Sequence, residues 1–261
     1  MVIGDTQVRP GVPTKHLSWI GQYIVDHFAG QDIQIVHVGD HWDMPSLSSY
    51  DKGTSRIEGK RYVHDVRAGN VGFDLLNEPL HDYNRRRRKK WLPGRTITLG
   101  NHEHRIVRAT EENAQLEGLL SLDALNAAQW GWDVVPFLKP KWIDGIAYAH
   151  YFYNPKTNRP YSGEISTRLK TIGHSFTQGH QQGLAVGHRD VMNGRHMGLV
   201  VGSTYLHDEG YIGPQGNLEW RGIYVCHRVR NGAYDRMEVS LESLCERYER
   251  RPLHRYMENA A

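Results

Sequence analysis

Cysteine is scarce in this chain, with only Cys226 and Cys245 among 261 residues. They lack metal-type spacing and are too few for a disulfide framework, which fits a reducing cytoplasm. Also missing is any apolar run near the roughly 18 residues of a membrane span, and the N-terminal stretch has no signal-peptide core. Charge of one sign is lacking too: the net charge is +3, too small for charge alone to argue a nucleic-acid partner. No repeat and no linker-like stretch divides the chain. Residues 1–261 are therefore read as one domain, long enough to bury a sizeable core. The expectation is a soluble, cytoplasmic protein.

Histidine and glycine are plentiful, at 16 and 27 residues. Histidine is the commonest metal ligand and glycine lets a loop approach an ion, so their placement matters more than their number. The chain opens on "MVIGDTQVRPG", a scrap of strand ending in Asp5 and Gln7. A carboxylate and an amide oxygen at i and i+2 can converge on one hard cation, and the same letters also spell an ordinary turn.

The next stretch places Leu17, Ile20, Ile24 and Phe28 at helical spacing, with Thr14 as candidate N-cap and Gly30 as candidate C-cap. "IQIVHVGDHWD" reads as a buried strand feeding a polar loop. A helix is predicted from about 59 to 90 with Val63, Val66, Phe73, Leu76 and Leu80 apolar, closing on "NRRRRKKWLPG". "RTITLGNHEHR" repeats the strand, glycine, polar-loop pattern. Alternating strands and helices imply a parallel α/β layer whose strand ends gather ligands. The second half holds β-like runs from "IAYAHYFY" to "AYDRMEV", expected to form a second, antiparallel or mixed sheet packed on the first. Between them "YNPKTNRPYSGE" is a candidate substrate loop, or a plain surface excursion.

In order, the strand-end loops read D-x-Q (Asp5, Gln7), G-D-x-x-D (Asp40, Asp43), G-N-H-E (Asn101, His102, Glu103), a strand-closing His150, and G-H-x-Q (His180, Gln182). This ordered set resembles the calcineurin-like metallophosphoesterases, and within them the phage- and prophage-encoded type, over residues 4 to about 203. The resemblance implies a four-layer α/β/β/α sandwich of two mixed sheets and a dinuclear, metal-dependent phosphoester hydrolase. One ion would take Asp5, Gln7, Asp40 and Gln182, and the other Asp40, Asn101, His150 and His180. Such a pair clamps a phosphoryl group and turns a shared water into a nucleophile. By the same resemblance His102 is the leaving-group acid and Asp43 orients its ring. Arg105 is read either as a phosphate contact or as a surface salt bridge.

The family pattern has histidine where this chain has Gln7 and Gln182. Two amides in place of two imidazoles on one ion imply a site retuned to Mn²⁺ or Mg²⁺ and weaker than its neighbour, or one that has been lost; Zn²⁺, Fe and Ni²⁺ are the other candidate ions. His180 competes for the last motif with "GHSF" and "GHRD", where Asp190 could ligate. His41 and His104 are candidates to line the cleft, while His16, His27, His64 and His81 are expected on the surface.

The resemblance implies a phosphoester substrate, with nucleotides and nucleic acid among the candidates. A phosphodiester is preferred, because an acid beside the metals serves alkoxide departure. A phosphomonoester is the alternative, and a non-catalytic metal- and nucleic-acid-binding module is a third reading. The run from Arg85 to Lys90 is read as a solvated helix end rather than a phosphate grip, with Trp91 a conceivable base platform.

Overall fold

The computed structural model describes residues 1–260. In chain order its elements are β1 (Val2–Ile3), α1 (Lys15–Phe28), β2 (Gln34–His37), α2 (Tyr62–Arg85), β3 (Gly94–Thr98), α3 (His104–Glu112), β4 (Asp133–Val135), β5 (Lys141–Ile143), β6 (Ile146–Tyr148) and β7 (Tyr153–Asn154). They continue as β8 (Arg159–Pro160), α4 (Ile165–Ile172), β9 (Ser175–Gln178), β10 (Leu184–Val191), β11 (Gly194–Val201), α5 (Gly213–Gly216), β12 (Gly222–Arg230), β13 (Ala233–Ser240), α6 (Leu241–Glu249) and α7 (Leu253–Ala260).

Two mixed sheets organise the chain. The first runs β13-β12-β1-β2-β3-β4 and the second β10-β11-β9-β6-β5. Strands β1 to β4 are parallel, in register Val2 to Val36, Val36 to Thr96 and Thr96 to Asp133. In the second sheet β6, β9 and β11 are parallel, and β5 and β10 pair antiparallel at its edges. Parallel neighbours need crossovers, which α1 and α2 supply. The expected second sheet forms from the later β runs, except that β12 pairs antiparallel with β1 and, with β13, extends the first.

Apolar side chains segregate into three cores. Ile20, Phe73, Ile97, Trp132 and Leu244 lie in the core that the first sheet shares with α1, α2 and α6. Val36 and Val38 meet Ile146, Leu199 and Val201 between the sheets. Phe176 and Val200 meet Ile165 and Leu169 of α4. Helix α1 buries its predicted face of Leu17, Ile20, Ile24 and Phe28. Thr14 precedes it without a side-chain cap bond, and Ala29 rather than Gly30 is the C-cap. Helix α2 is shorter than predicted and leaves Val63 in solvent, away from the face that buries Phe73, Leu76 and Leu80. Truncating Phe73 to alanine at the centre of the first core should cost about 3–5 kcal/mol. Among the described residues no helix is long and apolar enough to cross a membrane.

This topology aims five carboxyl ends at one crevice. The loops leaving β1, β2, β3, β6 and β9 carry Asp5, Asp40, Asn101, His150 and His180 in turn. The Arg85–Lys90 run lies elsewhere, before the amino end of β3 and thus about 17 Å of strand from that crevice. Trp91, the conceivable base platform, is instead core: it is buried and its indole N–H donates to the Gln31 carbonyl at 2.7 Å.

Candidate metal centre

Tight backbone turns bring the loops together. Gln7, Asp40, Met44 and His180 all have positive φ, at 38°, 51°, 51° and 68°. Side chains rarely adopt that region, at a cost of about 1–3 kcal/mol each, and such strain clusters at functional sites. Two glycines permit the closest approaches. A Cβ on Gly100 would strike Asp40 Oδ1, and one on Gly179 would strike Asp5 Oδ1.

A carboxylate oxygen of Asp40 and one ring nitrogen each from His150 and His180 lie within 4.8 Å of one another. His150 Nδ1 is 2.8 Å from the Val38 carbonyl, which can only accept, so Nδ1 carries a proton and Nε2 faces the cluster. That Nε2 sits 3.2 Å from Asp40 Oδ2 and 2.9 Å from Asn101 Oδ1. Three electron-rich atoms facing one another need something positive between them, a proton or a cation. In the metal-free chain the proton serves: burial pulls His150 down, but Asp40 outweighs it and raises the ring to about 9. Burial opposes ionisation of Asp40 as well, yet His102 and His150 hold it well below the usual carboxylate range. His180 is pushed down to about 4 by burial and by His150, so its ring is neutral, the form that ligates. Its backbone N–H donates to both oxygens of Asp5 at 3.1 Å. Burial, with help from Asp40, pushes Asp5 up to about 7.

The remaining predicted ligands form a different arrangement. Gln7 N–H donates to the Asp40 carbonyl at 2.9 Å. Gln7 Nε2 donates to Tyr211 Oη at 3.1 Å, and Gln182 Nε2 donates to the same phenol oxygen. Gln182 Oε1 accepts from the Tyr205 hydroxyl at 2.6 Å. The two amides thus converge, but on a tyrosine.

His102 lies between the clusters. Its Nδ1 is 2.6 Å from Asp43 Oδ1, and the carboxylate fixes the proton there. Nε2 then accepts from Arg105 at 3.0 Å and lies 3.7 Å from Asp40 Oδ2. Burial lowers the ring's pKa, but Asp40 and Asp43 together raise it above the ordinary histidine value. Asp43 also takes Arg9 at 2.8 Å, and Arg9 bridges on to Glu209. The reading of Arg105 as a surface salt bridge is corrected: its side chain is 12% exposed and also donates to the Asp43 and Met44 carbonyls.

Other histidine readings change. His16 is fully buried against the Thr204 carbonyl rather than on the surface. His41 is a core residue held by Thr6 and the Gly69 carbonyl. Of the rival motifs, Asp190 pairs with Arg195 in an exposed hairpin, and His174 stacks on His196. Neither joins the cluster.

Sequence reasoning missed Glu103 as an organiser. Fully buried, it accepts the N–H groups of Asp40, His41, Trp42 and Gly100 at 2.6–3.0 Å, and so ties the loop after β2 to the loop after β3. The signal was present, since an acidic residue beside ligands in "GNHE" had been given no role. Arg9, Tyr205 and Tyr211 carry no local motif that could have revealed them.

No family model matches the chain, and no curated protein matches it.

Proposed function

We propose that this chain is a metal-dependent phosphoester hydrolase of the calcineurin-like metallophosphoesterase kind, acting on a phosphodiester. The observation that carries the reading is His150: its outer nitrogen is fixed by the Val38 carbonyl, and its inner nitrogen faces Asp40 and Asn101 beside a neutral His180. That is the donor set of an imidazole and carboxylate metal site, complete with the backbone bond that orients the ring. Three stacked cores, helix on sheet, sheet on sheet and sheet on helix, support the four-layer α/β/β/α reading.

Held by Asp40, Asn101, His150 and His180, a divalent cation supplies Lewis acidity towards a phosphoryl oxygen and towards water. A second ion, with Mn²⁺ favoured, would be held by Asp5, Asp40, Gln7 and Gln182, whose amides now bond Tyr211 and Tyr205. His102 keeps its Nδ1 proton on Asp43 and presents Nε2, so a proton on Nε2 can pass to a departing ester oxygen. Arg9 holds Asp43 in place from behind. Arg105 neutralises charge beside His102 and is near enough to contact a phosphate oxygen. Free thiols at Cys226 and Cys245 support a cytoplasmic setting, the host's for a phage-encoded chain.

The deciding experiment compares bis-p-nitrophenyl phosphate with p-nitrophenyl phosphate, Mn²⁺ supplied to chelator-stripped protein. Faster turnover of the diester is expected. A preference for the monoester would move the assignment to phosphomonoesterase, and metal binding without turnover of either would leave a binding module.

A further inference from the structure

Exposed tyrosines are few in this protein. Among the described residues, the tyrosines prominent in solvent are Tyr50, Tyr153 and Tyr211, at 89%, 40% and 62% exposure. Tyr153 and Tyr211 border the metal centre. Tyr153 lies at 5.7 Å and 31° on Tyr151, which in turn lies at 4.7 Å on His180. Phe137 meets the edge of Tyr151 at 5.4 Å. Tyr50 lies on the loop that carries Asp40 and Asp43 out of β2. Tyr211 stands at the other end, its hydroxyl pinned by Gln7 and Gln182 and its ring left bare. One aromatic surface therefore borders His150 and His180, and another borders Asp5.

Fixing a phenol by its hydroxyl while leaving its face in water gains nothing for the core, because the apolar area stays exposed. It does leave an aromatic face open to a flat ligand. Cationic side chains accompany the platforms. The hairpin of β7 and β8 follows Tyr151 directly and carries Lys156 and Arg159, with no acidic residue from 151 to 163. Arg168 of α4 anchors its far end, donating to the Gly163 carbonyl at 2.8 Å and to Gln181 in the metal loop.

Resting on the phosphodiesterase reading above, we propose that Tyr151 with Tyr153 and Tyr50 on one side, and Tyr211 on the other, form a base-stacking collar for a single-stranded polynucleotide. The scissile phosphate sits over the metal centre with a base on each flank. Stacking on aromatic faces is tolerant of sequence and needs unpaired bases, since a duplex keeps its ring faces inside. Two platforms at the two ends of the centre fit a ligand with flat groups on both sides of its phosphate, which a mononucleotide does not have. In the reaction the oxygen of water bonds to phosphorus as one P–O ester bond breaks. One fragment leaves as an alcohol, taking a proton, and the other keeps a phosphate monoester.

The test is the ratio of kcat/KM on fluorescein-labelled dT12 to that on methyl p-nitrophenyl phosphate, with Mn²⁺, for the full chain and for Tyr50→Ala with Tyr153→Ala. Loss of stacking should lower the ratio by about tenfold, mainly through KM on the oligonucleotide. Tyr50→Phe with Tyr153→Phe should restore it. Anisotropy of labelled dT12 on EDTA-treated protein should show the same loss of affinity without any turnover. An unchanged ratio, duplex of equal length binding as tightly, or a cyclic mononucleotide competing as well as dT12 would each overturn the collar. Absence of turnover on both substrates by the wild-type chain would instead overturn the hydrolase reading, and the anisotropy would then decide the collar alone.

Discussion

The two halves of the centre share Asp40 and are otherwise unlike. In the histidine half, Asn101, His150 and His180 point acceptor atoms inward, with no side-chain donor to meet them but a borrowed proton. In the amide half, Gln7 and Gln182 are closed by Tyr211 and Tyr205, whose hydroxyls meet their polar groups. A cluster of acceptors held together only by a proton offers a cation a place that costs no other hydrogen bond, and a network closed by hydroxyl donors does not. Under the two-ion proposal the histidine half is expected to be the tighter site, because an ion at the amide half would compete with the bonds to Tyr211 and Tyr205.

The sharpest way to break this comparison is to remove one donor from each half. Loss of outer-sphere partners alone costs metal sites roughly 10–100-fold, so His150→Ala should weaken the tight Mn²⁺ site more than about 100-fold and take turnover with it. Gln182→Ala should leave that tight ion in place. Calorimetric titration of both variants decides the matter, and equal losses would erase the distinction. His102→Ala belongs to neither half. It should cost turnover on the order of a hundredfold while the metal stoichiometry from the same titration stays unchanged.

Installing imidazoles in the amide half sharpens the contrast from the other direction. Gln7→His with Gln182→His replaces hard amide oxygens with borderline nitrogen donors and removes both Tyr211 contacts. Zn²⁺ affinity at the second site should rise by about tenfold or more. A titration still showing one tight Zn²⁺ would mean that the loop bearing Tyr211, not ligand type, limits that half.

Why these halves were unequally legible in the sequence follows from the range of the contacts. Asp40, Asn101, His102 and His180 follow short β runs directly, so strand-end position gave their neighbourhood without coordinates. The parallel layer was legible for the same reason, from alternation of Ile97-type runs with the Leu17 to Phe28 face. Tyr211 was not. It meets Gln7 across 204 residues, from a loop with no periodicity. Nor did the surface reading of His16 survive, since helical spacing alone does not say which helix face the Thr204 carbonyl will meet. Strands β12 and β13 alternate like any half-buried pair, and nothing local tells which sheet edge they join.

Proton and cation compete for the histidine half, which gives a pH dependence. His150 is raised to about 9 from an ordinary value near 6.5. Its stabilisation is therefore fully present below about 6.5 and lost as pH rises through about 9. Asp5, raised from about 3.8 to about 7, acts in the same sense over a lower window, losing its contribution as pH rises through about 7. The Tm of EDTA-treated protein should fall between pH 6 and 9, on the order of 5 °C. Saturating Mn²⁺ should cancel the His150 part, because the ion replaces the proton between the same atoms. A flat or rising metal-free profile would contradict the charge assignment.

The smallest effect tests the closure of the amide half itself. Tyr211→Phe keeps the exposed ring and deletes only the hydroxyl that Gln7 and Gln182 share. Both buried amides then lose one partner, on the side where Tyr211 itself reaches solvent, so stability should drop by about 1 kcal/mol. Affinity for the second Mn²⁺ should rise, by a few-fold, since that hydrogen-bonded closure no longer has to open. Affinity for the first should not move. The ring survives but loses the hydroxyl bonds that hold it, so oligonucleotide binding by this variant should weaken modestly through a looser platform. Should the second Mn²⁺ bind no better, the amides are held by Tyr205 and their backbone turns, and Tyr211 is a bystander to metal binding.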